Sequence, residues 1–395
     1  MTNKITSFDF SRFEKAAIFL LIFLVGSFLI MAGTSEARER QVLARPLGMG
    51  GAFTAVAEGP SALAYNPAGL YESGTIELAG AGGLGVDELD KYSDIMEVAD
   101  NFSSEASSPQ EFYEDLEASL PENVFGRAKL FGGGSISAVG GSLSVLGQLE
   151  GEIKDNRGYF EYEGITEIKG GLAADITDLP AGLGFAAIGS SFGLNRVALG
   201  EYELNYDEQN PDDSEMSEWM ASDTGLALDA GMLLQVTPIV RAGLMIENAY
   251  AQDLEPSGYK TFYRPRTGVQ NEENWEEYDE EEYSKEYISA RKARIGVSVD
   301  LPVIGQAAAD ISNFPVLSSD KAPGPILHAG IETDLLLGLF SLRGGFNQGF
   351  GENDRQRMIT GGLGINLAVG SVDIGAGRNT EKGETSVLGS VTLGF

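Results

Sequence analysis

The feature that most constrains the fold of this chain is a repeated alternation of apolar and polar residues. In the last ten residues, four apolar residues share one face: Val387, Val391, Leu393 and Phe395. Comparable segments occur at 225–247, 294–300, 326–337 and 358–369. A period of two indicates β-strands, because successive side chains of a strand point to opposite faces. After residue 40 no apolar run is long enough for a spanning helix, so a membrane-embedded mature chain must cross with strands.

Alternation alone fits either a soluble antiparallel sandwich or a transmembrane barrel. The 52 glycines and the hydrophobic content of 43% suit strands with one lipid face and one water face. The start of the chain also favours the barrel. Lys4, Arg12 and Lys15 precede the apolar run 16–32, and small residues at 35–37 have the spacing of a signal-peptide cleavage site. Residues 1–37 are therefore predicted to be a signal peptide; the alternative is a membrane anchor.

The connections between the expected strands differ in length. Short ones fall at 236–239, 302–305, 338–339 and 370–371, whereas long acidic ones span 207–218 and 250–290. Bacterial barrels place short turns in the periplasm and long loops outside. The acidic run at 271–283 is therefore expected to be an extracellular, solvated loop. Residues 88–121 break the strand pattern with apolar positions at helical spacing, which predicts a helical excursion that forms an extracellular cap or part of a plug.

One stretch carries a family resemblance. Residues 45–70 contain Gly-Met-Gly-Gly-Ala-Phe-Thr-Ala-Val-Ala and then Ser-Ala-Leu-Ala-Tyr-Asn-Pro-Ala-Gly-Leu. These two motifs resemble the N-terminal signature of the FadL superfamily of outer-membrane barrels, and most of all that of its PorV branch. The resemblance implies an N-terminal hatch inside a 14-stranded barrel, whereas the sequence alone supports about 12 to 16 strands. We therefore expect a signal peptide at 1–37, a hatch at 38–73 and an antiparallel barrel at 74–395 whose first strand starts at Thr75, in the outer membrane of a Gram-negative bacterium.

The signature also supplies the candidate gating residues. Asn66, Pro67 and Ala68 are predicted to form a defined turn, since Asn can bond its own backbone and Pro fixes φ. The resemblance implies that this turn positions the hatch against the barrel wall near a lateral gap. Gly48, Gly50 and Gly51 invite comparison with a phosphate-binding loop, but no strand precedes them and no Gly-Lys-Ser/Thr follows. Small residues that let the segment thread a crowded lumen are the favoured interpretation.

The polar faces of the predicted strands supply a candidate lumen network. Its members are Arg241, Glu247, Arg294, Asp310, His328, Glu332, Asp334 and Arg343. Opposite charges inside a barrel are expected to pair and to narrow the interior. A second hypothesis gives His328, Glu332 and Asp334 a divalent cation, but the alternation places polar residues there without any function. No metal site is predicted.

The sequence does not support an enzyme. Gly189-Ser-Ser-Phe-Gly193 matches a nucleophile pattern around Ser191, yet its surroundings indicate a strand rather than the strand-to-helix elbow which that motif needs. The chain has no Cys and a single His, which excludes thiol catalysis and zinc centres of the Cys/His type. Its net charge of −32 argues against nucleic acid as a partner. No cofactor is expected.

The resemblance and the residues together give two functional hypotheses. The first is passive transport of small hydrophobic compounds, gated by the hatch; acidic external segments favour a neutral ligand over an anionic one. The alternative is a PorV-like binding component of a secretion or surface-attachment system, with a secreted protein as partner. Membrane lipid is an expected partner in both cases. So is the outer-membrane assembly machinery, because Val391, Leu393 and Phe395 resemble the C-terminal signal that it recognises.

Overall fold

The computed structural model describes residues 41–86, 123–154, 157–177, 184–205, 214–265, 275–301, 305–315, 324–351 and 356–395. The predicted signal peptide at 1–37 and the predicted helical excursion at 88–121 lie outside these residues. Among the described residues, no helix is long and apolar enough to cross a membrane.

The described chain begins with short helical turns and continues as strands. The turns are α1 (Ala44–Gly48), a 3-10 turn (Gly59–Ser61), α2 (Ala62–Tyr65) and a second 3-10 turn (Pro67–Glu72). The strands are β1 (Glu77–Val86), β2 (Asn123–Ile136), β3 (Val139–Lys154), β4 (Arg157–Asp175), β5 (Ala186–Asn205), β6 (Glu215–Thr237), β7 (Val240–Ala251), β8 (Ser257–Pro265), β9 (Trp275–Ser284), β10 (Lys292–Leu301), β11 (Gly305–Pro315), β12 (Ile326–Leu335), β13 (Phe340–Gly349), β14 (Arg357–Leu367), β15 (Gly370–Asn379) and β16 (Thr385–Gly394).

The strands close into an antiparallel barrel. β1 pairs with both β2 and β16, β5 pairs with β6, and β7 pairs with β10. Of the 16 described strands, 14 therefore form the closed wall, while β8 and β9 form a hairpin that pairs with β6 at Met216–Glu218. The expected transmembrane barrel topology and its 14 strands are confirmed.

The alternation predicted from the sequence is confirmed by side-chain exposure. On β14, Ile359 and Leu363 are 62% and 58% exposed on the outer face, while Thr360 between them is buried. The outward, exposed apolar residues form a belt around the wall; examples are Leu130, Leu143, Ile168, Phe192, Leu226, Ile331, Leu342, Ile374 and Val391. A belt of this kind is the surface that a lipid bilayer requires.

The two ends of the barrel differ as expected. At one end, short turns join β2 to β3, β6 to β7, β12 to β13 and β14 to β15. In the sequence, three residues separate β10 from β11, whereas ten residues separate β4 from β5. The wall is uneven in height: β5 and β6 have 20 and 23 residues, but β12 and β13 have 10 each. The tall side and the β8–β9 hairpin extend at the end opposite the short turns.

Three details of the prediction are wrong. The acidic run at 271–283 is not wholly a loop, because Trp275–Ser284 pairs with Ser257–Pro265 as a hairpin. The expected loop at 207–218 ends earlier, because β6 begins at Glu215. The first strand begins at Glu77 rather than at Thr75. Acidic residues gave the first two segments no apolar period, although their backbones still pair.

Candidate functional site

The lumen is filled by residues 41–73, called the N-terminal segment below. Its largest side chains are almost completely buried: Leu47, Met49, Phe53, Leu63, Tyr65 and Leu70. Phe53 and Tyr65 pack edge to face with ring centroids 5.2 Å apart. Short helical turns let the segment satisfy much of its own backbone, and the remaining polar groups bond to the wall. Four sets of contacts fix its position.

The first contact is the Asn66-Pro67-Ala68 turn, which lies against β5 and β6. The Asn66 carboxamide accepts from Ala68 N at 3.2 Å, and it donates to Thr54 O at 2.9 Å and to Met232 O at 3.1 Å. Gly189 and Gly231 are directly paired across the two strands. A Cβ on Gly231 would lie 2.1 Å from Asn66 Oδ1, so this seam of the wall accommodates the turn only because it has no side chain there.

The second contact is made by the glycines of the signature. Gly50 has a φ of 67°, and its carbonyl accepts from His328 Nδ1 at 2.8 Å and from Asn347 Nδ2 at 3.4 Å. The carbonyl of Gly51 accepts from Arg294 at 3.2 Å, and that of Gly48 accepts from Thr360 Oγ1 at 3.2 Å. The backbone carbonyls of the glycine stretch thus accept hydrogen bonds from side chains of the wall at close range. It is not a loop around a phosphate.

The third contact is a carboxylate that captures two backbone amides. Asp310 Oδ2 accepts from the amides of Phe53 and Thr54, both at 2.8 Å, and from the Thr54 hydroxyl at 2.6 Å. Asp310 is 1% exposed. Three donors to one buried carboxylate oxygen make this the most densely bonded point between the segment and the wall.

The fourth contact is an ionic network. Arg45 reaches both oxygens of Glu332, each at 3.0 Å, and also pairs with Glu58 at 2.8 Å. Arg343 bonds the same Glu332 and lies 2.6 Å from Asp373. Burial lowers the pKa of the Arg45 guanidinium, but Glu332 and Glu58 outweigh this effect and raise it above its ordinary value. The network therefore keeps Arg45 charged while it ties α1 to β12.

The predicted lumen residues thus separate into groups. Arg294, Asp310, His328, Glu332 and Arg343 contact the N-terminal segment or one another, and Arg241 pairs with Glu72 of the segment at 2.6 Å. Asp334 accepts from Ser341 Oγ at 2.7 Å within the wall. Sequence reasoning missed Lys129, whose ammonium donates to Gln41 O at 2.8 Å, because a lone Lys in an apolar strand carries no partner information.

The structure shows other contacts for the residues of two alternative hypotheses. His328 uses both ring nitrogens, one toward Gly50 O and the other toward Ser312 Oγ at 2.9 Å. Within the described part of the chain, no three His, Asp or Glu side chains gather as a metal site. Ser191 lies inside β5, not at an elbow, and its hydroxyl donates to Asp229 at 2.9 Å. Lys169 neutralises the same carboxylate at 3.0 Å.

Beyond the segment, toward the long-loop end, the lumen is first polar and then apolar. A cavity of about 50 Å³ lies between Tyr65 and the wall, lined among others by Lys169, Glu247, Lys292 and Arg294. Farther along, an apolar cluster occupies the tall side of the barrel: Ile165, Val197, Leu199, Trp219, Ala221 and Leu254, with Tyr283 and Tyr287 packed against it. A charged layer thus lies between the N-terminal segment and the apolar cluster.

Proteins with a similar architecture are found among solved structures. No protein-family model matches the chain, and no curated protein matches its sequence. Among solved structures, the Ralstonia pickettii toluene transporter TbuX is similar with a TM-score of 0.59 and 13% identity, over 89% of this chain and 97% of that one.

Two further solved structures agree with this placement. The P. putida toluene transporter TodX has a TM-score of 0.58 and 12% identity, over 91% of this chain and 99% of that one. A Pseudomonas aeruginosa FadL homologue has a TM-score of 0.57 and 11% identity over the same shares. The chain therefore has the FadL-type barrel fold, while no comparison points to the PorV branch.

Proposed function

We propose that this chain is an outer-membrane barrel that lets small hydrophobic compounds cross passively, with the N-terminal segment as its hatch. The observation that carries the proposal is the segment itself, which fills a closed FadL-type wall and is held by a limited set of polar contacts. Proteins with this fold include two toluene transporters and the monoaromatic hydrocarbon channel CymD. A barrel without a described catalytic constellation fits transport better than chemistry.

The outer-membrane location is supported by the exposed apolar belt and by the end of the chain. Val391, Leu393 and Phe395 are 43%, 37% and 68% exposed on the outer face of the final strand. An apolar, outward-facing last strand is what we propose the assembly machinery recognises. The order of segments follows from this proposal: a signal peptide at 1–37, a hatch at 38–73 and the barrel at 74–395.

The ligand class follows from charge. The β8–β9 hairpin at the long-loop end exposes Glu277 and Asp279–Glu282, and the whole chain carries −32. Such a surface repels anions and leaves neutral molecules unaffected. The buried apolar cluster around Trp219 and Leu199 places aromatic and aliphatic side chains between the long-loop end and the segment. We therefore propose a neutral monoaromatic or alkane-like ligand.

Passage requires that the N-terminal segment moves. Asn66, Pro67 and Ala68 contact the glycine pair Gly189 and Gly231, where wall and segment meet without side chains between them. Gly48, Gly50 and Gly51 lie against the opposite half of the wall, at β10–β14, and are held by His328, Arg294 and Thr360. We propose that the asparagine turn leaves its position while the glycine stretch stays in place, because the glycine stretch has more bonds to the wall.

The test is a reversible lock on the segment. A Cβ on Gly133 would lie 3.2 Å from Pro60 Cβ, close to the separation of about 3.8 Å in a disulfide. The chain has no native Cys, so Pro60→Cys with Gly133→Cys gives a single possible bond between hatch and wall. We expect uptake of a radiolabelled monoaromatic hydrocarbon to stop under oxidation and to return with reductant.

A matched control locks the barrel elsewhere. A Cβ on Gly258 would lie 3.5 Å from Ala221 Cβ, so Gly258→Cys with Ala221→Cys joins β8 to β6 and leaves the segment free. This variant should transport in both redox states. Uptake by the oxidised hatch lock at the wild-type rate would refute the hatch, and no uptake by the wild-type protein would refute transport itself.

A second candidate function is the binding component of a secretion or surface-attachment system. The observation that favours it is the β8–β9 hairpin, whose strand β9 exposes acidic residues and Tyr278. If this hypothesis holds, deletion of 275–284 will release a protein that otherwise co-purifies with the barrel. If the barrel is a transporter, the deletion will leave hydrocarbon uptake in place.

A further inference from the structure

The turn between β12 and β13 carries two leucines in a backbone conformation that leucine rarely adopts. Leu336, Leu337 and Gly338 have φ values of 51°, 60° and 86°. In this left-handed region the Cβ of an L residue crowds the following carbonyl, so Gly, Asn and Asp are preferred. The other described non-glycine residues with positive φ are Ser137, Asn248 and Asn313. The leucine pair is therefore an exception that needs a physical reason.

The turn has a defined geometry. The Asn366 side chain, from the neighbouring β14, donates to Gly338 O and to Ser341 Oγ, both at 2.9 Å. Its backbone amide donates to Leu339 O at 2.8 Å. The neighbouring hairpin thus holds the turn in the conformation that points its two leucines outward.

Both leucines are highly exposed. Leu336 is 73% exposed and Leu337 is 108% exposed, the highest value among the large apolar side chains described. In water, this turn would combine an unfavourable backbone with unfavourable apolar exposure. The combination is favourable only where the surroundings of the turn are themselves apolar.

The surface around the turn is continuous with the outer belt. Its exposed apolar neighbours, on this turn and on the adjacent β14–β15 turn, are Leu335, Leu339, Phe340, Leu367 and Val369. No charged residue occurs in 335–342 or in 363–372. The belt therefore reaches the tips of both turns without the polar boundary that would mark an exit into water.

Strand length places the tip at the same depth. β12 and β13 have 10 residues each. At about 3.3 Å per residue and a tilt of about 45°, such a strand spans about 23 Å, close to the apolar band of about 25 Å in outer-membrane barrels. Each strand is just long enough to cross the apolar band, so it has no further residues that would carry the turn beyond the band.

We propose that the β12–β13 turn is a lipid anchor, with Leu336 and Leu337 inserted into the acyl chains of the leaflet at the short-turn end. The lipid hydrocarbon provides the apolar surroundings, and the leucine contacts offset the strained backbone. The anchor fixes the depth of the short side of the barrel, opposite the tall wall of β5 and β6. This role concerns the seating of the barrel and is independent of what the barrel transports.

A depth measurement tests the proposal. The two native tryptophans, Trp219 and Trp275, lie in β6 and β9 toward the long-loop end. The full-length protein with Leu337→Trp is reconstituted into vesicles of phosphatidylcholine with brominated acyl chains, and its fluorescence is compared with that of the wild type. We expect the added emission to be shifted to shorter wavelength and quenched severalfold by the brominated lipid. Quenching by aqueous iodide instead, or shielding from both quenchers by a protein contact, would overturn the anchor.

A second variant keeps the proposal testable if tryptophan disturbs the turn. Leu336→Asn with Leu337→Gly supplies the residue types that suit the backbone. A water-exposed turn would become more stable with this change, whereas an anchor loses its lipid contacts. We expect a lower urea midpoint of unfolding in vesicles for the double variant, and a raised midpoint would overturn the proposal. Ser137→Asn, in the β2–β3 turn where Ser137 has a φ of 51°, is the control and should not lower the midpoint.

Discussion

Replacement of Asn66 by Ala should loosen the N-terminal segment by a measurable amount. The side chain is fully buried and makes three hydrogen bonds, two donated to Thr54 O and Met232 O and one accepted from Ala68 N. The bond to Ala68 N lies within the turn and persists when the turn leaves, so release depends on the other two bonds. At about 1 kcal/mol net for each of these, the loss is about 2 kcal/mol. The population with a released turn should then rise about 30-fold, since 1.4 kcal/mol corresponds to about tenfold.

Cysteine labelling measures this release directly. Ala62 lies in α2 of the segment with no exposed surface, and the chain has no native Cys, so Ala62→Cys is a single reporter. When opening and closing are faster than the reaction with a maleimide, the labelling rate is proportional to the open population. We expect Asn66→Ala to raise this rate about 30-fold over the reporter alone.

A buried asparagine on the wall provides the control for this measurement. Asn347 contacts the segment through one long bond of 3.4 Å to Gly50 O. Its replacement by Ala should cost at most about 1 kcal/mol and raise labelling no more than about fivefold. Equal labelling of Asn66→Ala and wild type, or a larger effect at Asn347, would show that the asparagine turn does not hold the segment.

Three further predictions concern other contacts. Gly231→Val should displace the turn, because its Cβ would meet Asn66 Oδ1 at 2.1 Å, whereas Gly126→Val, with nothing within 4 Å, should leave the same cysteine labelling unchanged. Glu332→Gln should also raise the labelling rate, because it removes an ionic contact worth about 2 kcal/mol. This loss is smaller than that of breaking a fully buried ion pair, because Arg45 keeps Glu58 and Arg343 keeps Asp373 as partners. On the β8–β9 hairpin, burial and then the bond to Glu218 raise the pKa of Tyr263 from 10.0 to about 12, so its contribution to hairpin docking is complete below pH 10.0 and lost as the pH rises through about 12. Ultraviolet titration of the wild type against Tyr263→Phe checks this shift, and Glu218→Gln should bring the pKa back toward 10.0.

The wall of the barrel was the part most open to prediction. Ile359, Leu363 and Ile365 face lipid because period two leaves one face for apolar residues, and a shift of one residue would reverse every side chain. The tall upper strands were harder to recognise. Residues such as Glu215 and Trp275 lie outside the lipid, where the strands need not alternate apolar and polar side chains. These strands therefore pair without an apolar pattern that the sequence could show.

The contacts of the N-terminal segment could be predicted only as residue types. Alternation placed Asp310, His328 and Arg343 in the lumen, and the resemblance placed residues 48–68 there as well. Which side chain bonds which backbone group depends on how the segment is placed in the lumen. The partners can be more than 250 residues apart in the sequence, as in the bond of Thr54 N to Asp310. No local pattern records that distance.

The pairing of Gly189 with Gly231 beneath the asparagine turn limits how such a protein can be re-engineered or can diverge. The interface at this point is formed by backbone surfaces, so it is sensitive to the presence of any Cβ and indifferent to the chemistry of a side chain. An N-terminal segment exchanged between two barrels would therefore fit only if both wall positions also lack a side chain. The N-terminal segment and the barrel wall must therefore change together. Chimeras joined near residue 73 should fold only when both donor proteins lack a side chain at these two wall positions.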